Sequence, residues 1–438
     1  MKITSEAGIP CAVFLVVLGA YVLSPVITSG DSRWSVPTAM SIIKEGNADL
    51  NEYPEALEAS KFSGIEEVDA RYYTIFPIGV SVIAVPFVFA IDVALRTVCS
   101  LFPAIEQRLI QQCSVPLDRI TAATIYWRVE LLVASFIGAI ASVFIYLLAR
   151  RSLDRRHALL VTFVFVFCTS MWSVASRALW SHGPSVMLLA LALYLVVLAK
   201  EKPHVIQYVS LPLAFSYVVR PTNSIPIAAI TVFVFARHRK LFVRYVLWSL
   251  VIAVPFLAYN FRVYHWFLPP YYRPGRLGES PHFLEALAGN LVSPARGLFV
   301  YSPIFLFSLF GVALKLKDRK MEPLDFFLLA VILLHWLVIS SFGHWYGGDS
   351  YGPRFWTDMI PFLIYFLIPA VGLLPQLDKG RSRLMAGIMA CAIAGSFFMH
   401  CRGATSLAVW EWNREPVAVA DAPERLWDWS DPQFLRGL

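Results

Sequence analysis

A chain of 438 residues that is 58% hydrophobic and only 15% charged, with a mean hydropathy of +0.62, cannot hide so much apolar surface inside water-soluble domains and belongs in a lipid bilayer. Its net charge of +7 is carried as short basic clusters between apolar runs, a pattern that marks membrane topology and excludes a nucleic-acid partner as its cause. The six cysteines follow neither metal-ligand nor redox spacing.

Crossing the hydrocarbon takes roughly 17 to 25 apolar residues, fewer where aromatic or basic side chains cap the ends. By that measure about eleven spans are expected, at 9–28, 126–148, 158–176, 184–198, 205–219, 224–235, 241–260, 299–314, 326–342, 357–374 and 384–400. The first lacks a small-residue cleavage site and is read as a retained span, not a signal peptide. Cys11, Cys168 and Cys391 lie within apolar runs as small core residues. Cys99 and Cys113 share one loop segment, where they pair if the compartment is oxidising and stay free thiols otherwise.

Basic clusters at Arg150/Arg151/Arg155/Arg156, Lys200/Lys202, Arg237/Arg239/Lys240, Lys315/Lys317/Arg319/Lys320 and Lys379/Arg381/Arg383 fall at every second connection, which assigns those connections to the cytoplasm. The expectation is an all-α, multi-pass inner (plasma) membrane protein with its N-terminus cytoplasmic. It has one transmembrane domain at 1–401, a long first outer loop at 29–125, and an extracytoplasmic tail at 402–438 that packs over the outer loops. The apolar stretch 74–95 breaks the alternation: a crossing there would put every later basic cluster outside. Pro77, Gly79 and Pro86 are expected to interrupt it as a re-entrant or interface-lying helix. No fixed-period repeat or flexible linker divides the chain.

Polar and aromatic residues concentrate in the outer loops, so chemistry is sought there. The first loop opens Gly30-Asp31-Ser32-Arg33-Trp34. Residues 35–46, with Ser35, an early Pro37 and a terminal Gly46, carry the signals of a short interface helix with Trp34, Met40 and Ile43 facing lipid. An acid at the rim of the hydrocarbon suits a general base that deprotonates an acceptor hydroxyl, and Asp31 is the candidate. The alternative for it is structural, as a helix cap or a partner for Arg33.

This arrangement resembles the GT-C superfamily of polyprenyl-phosphate-sugar transferases, the protein O-mannosyltransferases and lipid A aminoarabinose transferases among them. Gly30-Asp31 lies where that family carries its catalytic acid after the first span. Tyr72-Tyr73-Thr74-Ile75-Phe76-Pro77-Ile78-Gly79 resembles its second interface helix, and the run from Arg128 to Arg150-Arg151 resembles the following span. Ser176-Arg177-Ala178-Leu179-Trp180-Ser181-His182-Gly183-Pro184 and Arg220-Pro221-Thr222-Asn223 fall where members have short polar turns. The resemblance runs from Ile9 to Phe235. It departs at Ser32, where the family often has a second acid; Glu66, Glu67, Asp69 and Asp349 are the substitutes.

The resemblance implies a phosphate-bearing donor, and arginines against the positive-inside trend supply the matching charge: Arg262, Arg273, Arg276 and Arg296 in one loop, and Arg354 after a glycine-rich turn. Arg354 is the first candidate clamp, then Arg220 and Arg296, with Arg33, Tyr73, His182 and His344 completing the expected substrate-binding set. Tyr264, Trp266, Tyr271 and Tyr272 stack on a sugar, line a lipid groove or anchor the interface. His182, His265, His282 and His344 lack the i, i+4 spacing of a helical metal site. The implied activity is inverting transfer of a sugar from a polyprenyl-phosphate donor to a hydroxyl of a glycan, lipid or protein acceptor. No resident cofactor or nucleic acid is expected, and a divalent metal remains open. A polyprenyl-linked glycan polymerase or ligase, and a transporter or flippase, are the competing readings.

Overall fold

The structure is a computed structural model that describes residues 3–113, 121, 122, 124–272 and 282–438. Arg273, Arg276 and the Cys113 side chain, with the Cys99 pairing, lie outside the described residues. In chain order the helices are α1 (Ile3–Leu23), α2 (Ser35–Lys44), α3 (Pro54–Ala59), α4 (Gly79–Leu101), α5 (Pro103–Cys113), α6 (Tyr126–Ala149), α7 (Arg155–Phe167), α8 (His182–Leu198) and α9 (Ser210–Val219). They continue as α10 (Ser224–Arg237), α11 (Arg239–Tyr264), α12 (Phe283–Val292), α13 (Leu298–Tyr301), α14 (Leu306–Lys317), α15 (Pro323–Ser340), α16 (Ile360–Leu373), α17 (Lys379–Thr405) and α18 (Ala408–Glu411). Each expected apolar stretch is helical over most of its length. Among the described residues six helical stretches are long and apolar enough to cross a bilayer unaided: Gly79–Leu101, Tyr126–Ala149, Arg239–Tyr264, Pro323–Ser340, Arg354–Gln376 and Lys379–Thr405.

The two ends of the bundle differ in how their helices start. At the basic end the starts are capped by acids: Asp154 accepts from the Arg156 and His157 amides, Glu322 and Asp325 form a reciprocal capping box, and Asp378 accepts from the Arg381 amide. Here Lys200 pairs with Glu322, Arg151 with Glu201 and Lys315 with Asp325, so basic clusters far apart in sequence meet at one face. At the other end Pro221, Pro303 and Pro353 break the helices into 3-10 turns, and the turns at Pro221 and Pro353 help build the site.

Helix packing relies on small residues. A Cβ added at Gly311 of α14 would overlap the Phe366 carbonyl of α16, and one at Gly138 of α6 would sit 2.7 Å from the Tyr21 ring of α1. One apolar core joins α1, α6, α7, α8 and α16. A second lies under the first loop, where Trp34, Val36, Met40, Leu50 and Leu57 pack with Val80, Ala84 and Val88 of α4 and Val129, Val133 and Ile137 of α6.

This second core corrects two expectations. Trp34 and Met40 are buried at 3% and 0% exposure and do not face lipid, because α4 lies over α2. And α4 is continuous through Pro86. Although α4 is long enough to cross, Asp92, about 20 Å along the helix from Gly79, accepts from Thr121 at 3.0 Å, just ahead of the start of α6. That bond holds the middle of α4 beside the entry to α6, and Arg96, one turn further along α4, pairs with Asp92 at 2.7 Å. A further departure from an all-helical reading is a short antiparallel hairpin, Ile65–Val68 (β1) with Arg71–Thr74 (β2), whose turn residues Asp69 and Ala70 have φ of 51° and 59°.

Gly311→Ala is expected to lower stability by about 1–3 kcal/mol through the α14–α16 clash, while Gly387→Ala, where a Cβ meets nothing within 4 Å, is expected to be neutral or slightly stabilising. Thermal unfolding of the two variants in detergent checks the contrast.

Candidate active site

Where α1 ends at Leu23, its last carbonyls have no helical donors. The buried guanidinium of Arg177 supplies them, donating to Tyr21 O at 2.6 Å and Ser24 O at 2.9 Å. The Thr28 amide bonds back to Arg177 O at 3.1 Å, and Trp180 Nε1 donates to Thr28 Oγ1 at 3.2 Å, so residues 24–28 are fastened to the turn before α8. The next residues are held by Glu130 of α6. Its fully buried carboxylate accepts from Ser29 Oγ at 2.8 Å, Ser32 Oγ at 2.5 Å and the Leu179 amide at 3.2 Å. A carboxylate stripped of water needs such donors, so the turn around Asp31 is tightly determined.

Asp31 opens the 3-10 turn Asp31–Trp34, whose cap is Gly30 with no side-chain cap bond. Arg33 Nε donates to the Gly30 carbonyl at 3.3 Å, not to the acid. Asp31 is exposed and makes no hydrogen bond or ion pair with any described residue. Neither structural alternative for it, cap or partner of Arg33, is realised.

Arg220 precedes Pro221, which keeps it out of the helical region; it is extended at φ −157° and ψ 124°, ending α9. The bend turns its side chain inward, where Nε lies 2.9 Å from Asp358 Oδ2 and Nη1 donates to Ser181 Oγ at 3.0 Å. His182 Nδ1 meets the same carboxylate oxygen at 3.1 Å. Asp358 is buried, as is His182, and three polar atoms here lack protein partners: Asp358 Oδ1, His182 Nε2 and Arg354 Nε. Arg354 begins the same 3-10 turn that carries Asp358, after Gly347, Gly348 and Gly352 at φ of 77°, 63° and 57°. Its guanidinium lies 4.6 Å from the centroid of Trp180 and makes no hydrogen bond or ion pair with a described residue.

Two cavities meet at these residues. The larger, about 780 Å³, is lined by Asp31, Arg33, Trp180, His344, Asp349 and Arg354, with a wall from 407–414. The smaller, about 40 Å³, is lined by Asp31, Ser181, His182, Arg220, Tyr271 and Arg354. Asp31, Phe76, Trp180 and Arg354 belong to both. From Ile78, next to the Pro77 that lines the smaller one, an apolar groove of about 350 Å³ runs between α4, α9 and α11, lined by Ile78, Val82, Val218, Ile252 and Phe256.

Asp31, Arg354, Arg220, His182, Arg33 and His344 are thus brought together, but Arg296 and Tyr73 are not. Arg296 is 2% exposed, and its guanidinium donates to Tyr346 O, Ala295 O, Gln433 Oε1, Gly348 O and Asn413 Oδ1. Burial pulls it down to about 10, still cationic at neutral pH, and it acts as the hub that fixes the glycine-rich turn. Tyr73 packs edge-on to Tyr264 under the hairpin, where burial raises its phenol. Of the substitute acids only Asp349 reaches the cavity, paired with Arg414 at 2.7 Å. Glu66 and Glu67 lie in β1, and Asp69 pairs with His265 at 2.8 Å at the hairpin tip. Two acids escaped sequence reasoning: Glu130, whose signal is a lone carboxylate in an apolar run, and Asp358, at the start of the span 357–374. Among the described residues no group of three or more His, Cys, Asp or Glu is placed to hold a metal ion.

A multi-pass helical membrane protein with an uncommitted acid and an uncommitted arginine at one cavity is the class these features define. Residues 127–260 match the family described as dolichyl-phosphate-mannose-protein mannosyltransferase. ArnT from Cupriavidus metallidurans bound to undecaprenyl phosphate aligns at a TM-score of 0.50 and 14% identity, over 97% of this chain and 73% of that one. The apo state of ArnT from the same organism gives 0.48 and 15%, over 89% and 64%. No curated protein matches by sequence. The chain has the fold of ArnT, and residues 127–260 within it match the mannosyltransferase family model.

Glu130→Gln keeps the volume but halves the acceptor capacity of the clamp, and is expected to cost about 1–3 kcal/mol. Thermal unfolding measures that loss, and unchanged stability would mean that the turn around Asp31 is held without the Glu130 carboxylate.

Proposed function

We propose that the protein transfers a sugar from a polyprenyl-phosphate donor to a hydroxyl acceptor on the extracytoplasmic face of the plasma membrane. The N-terminus is then cytoplasmic, and the tail 402–438 is extracytoplasmic. One observation carries the reading: Asp31 and Arg354, oppositely charged and without a hydrogen bond or ion pair to any described residue, line the same two cavities. Opposite charges left unsatisfied at a shared cavity are costly to maintain and mark a place where a ligand completes them. The ArnT structure holding undecaprenyl phosphate supports the choice of donor.

In this reading the donor phosphate lies against Arg354, with Arg220 and His182 behind it and its lipid chain in the apolar groove past Pro77. Asp31 takes the proton from the acceptor hydroxyl. The acceptor oxygen attacks the anomeric carbon, the bond from that carbon to the phosphate oxygen breaks with inversion, and polyprenyl phosphate leaves. The guanidinium groups offset the charge that grows on the leaving phosphate. Arg354 has the planar donor fork suited to that oxygen pair, while Arg220, tied to Asp358, contributes charge at a fixed position.

With a synthetic polyprenyl-phosphate sugar and reconstituted protein, Asp31→Asn is expected to lower transfer by on the order of 10²–10⁴-fold with donor binding retained. Arg354→Ala is expected to weaken donor binding by about 1.5–3 kcal/mol. Full activity in both variants would refute the assignment; transfer only from a diphosphate-linked donor would favour a polymerase or ligase, and no transfer at all a flippase.

A further inference from the structure

The large cavity differs in chemistry from the apolar groove between α4, α9 and α11. The groove is almost wholly uncharged and apolar and lies among helices; the cavity is lined by aromatic rings and charged groups. Its wall away from Asp31 comes from the segment after α17, which contributes Leu407, Trp410, Glu411 and Arg414, and from the turn at Gly347, Gly348 and Asp349.

That wall is rigid. Gln433 donates from Nε2 to Ser350 O and Val409 O, and its Oε1 accepts from Arg296 and the Gly352 amide. Trp412 is buried at 1% exposure, and Trp410 Nε1 donates to Gly403 O at 2.9 Å, which fixes the indole at the cavity edge. The polar groups it presents are not used up. The Glu411 carboxylate makes no hydrogen bond or ion pair with a described residue, and only Oδ2 of Asp349 is engaged, by Arg414.

We propose that the acceptor is a saccharide, with a ring packed on Trp410 and hydroxyls held by Glu411 and Asp349 while one hydroxyl reaches Asp31. This rests on the transferase reading. Free carboxylates accept strongly from hydroxyls, and an indole covers the C–H face of a sugar ring, so a polyhydroxylated ring satisfies both features together. An acyl chain would leave Glu411, Asp31 and Arg354 desolvated without partners. A serine or threonine peptide offers backbone N–H groups to the carboxylates but brings one hydroxyl, which Asp31 consumes, and no C–H ring face for Trp410. The cavity, at about 780 Å³, is within the range of small-molecule sites.

The test is binding first and turnover second. Saturation-transfer NMR on the reconstituted full chain, without donor, measures binding of hexose and N-acetylhexosamine trisaccharides, a threonine-containing peptide and a monoacylglycerol. The expected result is trisaccharide binding that weakens on the order of tenfold in Glu411→Gln and in Trp410→Phe, with Trp429→Ala, an exposed tail residue outside the cavity, as the unaffected control. With donor added, the same trisaccharides are expected to become labelled. Binding of saccharide without any transfer would sink the transferase reading and with it the acceptor role, while the saccharide site itself would stand. Labelling of the peptide or the monoacylglycerol with no saccharide binding would overturn this inference and leave the transferase reading standing, as would saccharide binding indifferent to Glu411 and Trp410.

Discussion

The buried carboxylate of Glu130 is the constraint on which the site depends. It stands in an otherwise apolar helix and takes donors from Ser29, Ser32 and the Leu179 amide, so one side chain joins the first loop to the turn before α8. Because the low-dielectric surroundings make an unsatisfied carboxylate expensive, the donors cannot drift without a large penalty. Asp31, between the two serines, is thereby held with its own carboxylate turned to the cavity, where it has no internal partner. One acid is neutralised by hydrogen bonds so that the other can remain free.

The arginines show the same division. Arg177 closes the end of α1 and Arg296 gathers five acceptors beneath the glycine-rich turn, so both are structural cations. Arg220 is intermediate, paired with Asp358 yet lining the smaller cavity. Arg354 alone of these four reaches the cavity without an internal acceptor, and its guanidinium rests on the Trp180 ring. Such stacking orients the group while leaving its edge donors available. Burial in this fold therefore sorts cations by function: the more backbone carbonyls an arginine satisfies, the less it can offer a ligand.

How far the sequence could be read follows from the kind of signal each residue leaves. Apolar runs and alternating basic clusters are long-range regularities, and the basic clusters at 150–151, 200 and 315 do meet at one end of the bundle. Asp31 and Arg354 stood out because each sits at a span boundary, and the structure brings them to one cavity. Arg296 stood out for the same reason and went elsewhere, since nothing in its neighbourhood announces that Gln433 and Asn413, more than a hundred residues on, will consume its donors. Glu130 was hidden by its surroundings: within an apolar span a single acid is lost in the average. The β-hairpin escaped because a positive-φ turn at Asp69-Ala70 lacks the glycine that usually marks one.

The tail illustrates how a short segment acquires structure without a core of its own. Residues 406–438 are too few to bury a separate hydrophobic interior, and they use the membrane domain's polar groups instead. Arg402 at the end of α17 donates to Phe434 O and Arg436 O, Gln433 enters the Arg296 network, and Trp412 fills the space beside Trp345 and Ala295. The Arg296 network in particular ties the tail to Gly348 of the turn that lines the cavity. The wall formed by Trp410 and Glu411 is therefore as fixed as the helices beneath it, and a change in Arg296 or Gln433 acts on that wall and on the glycine-rich turn together.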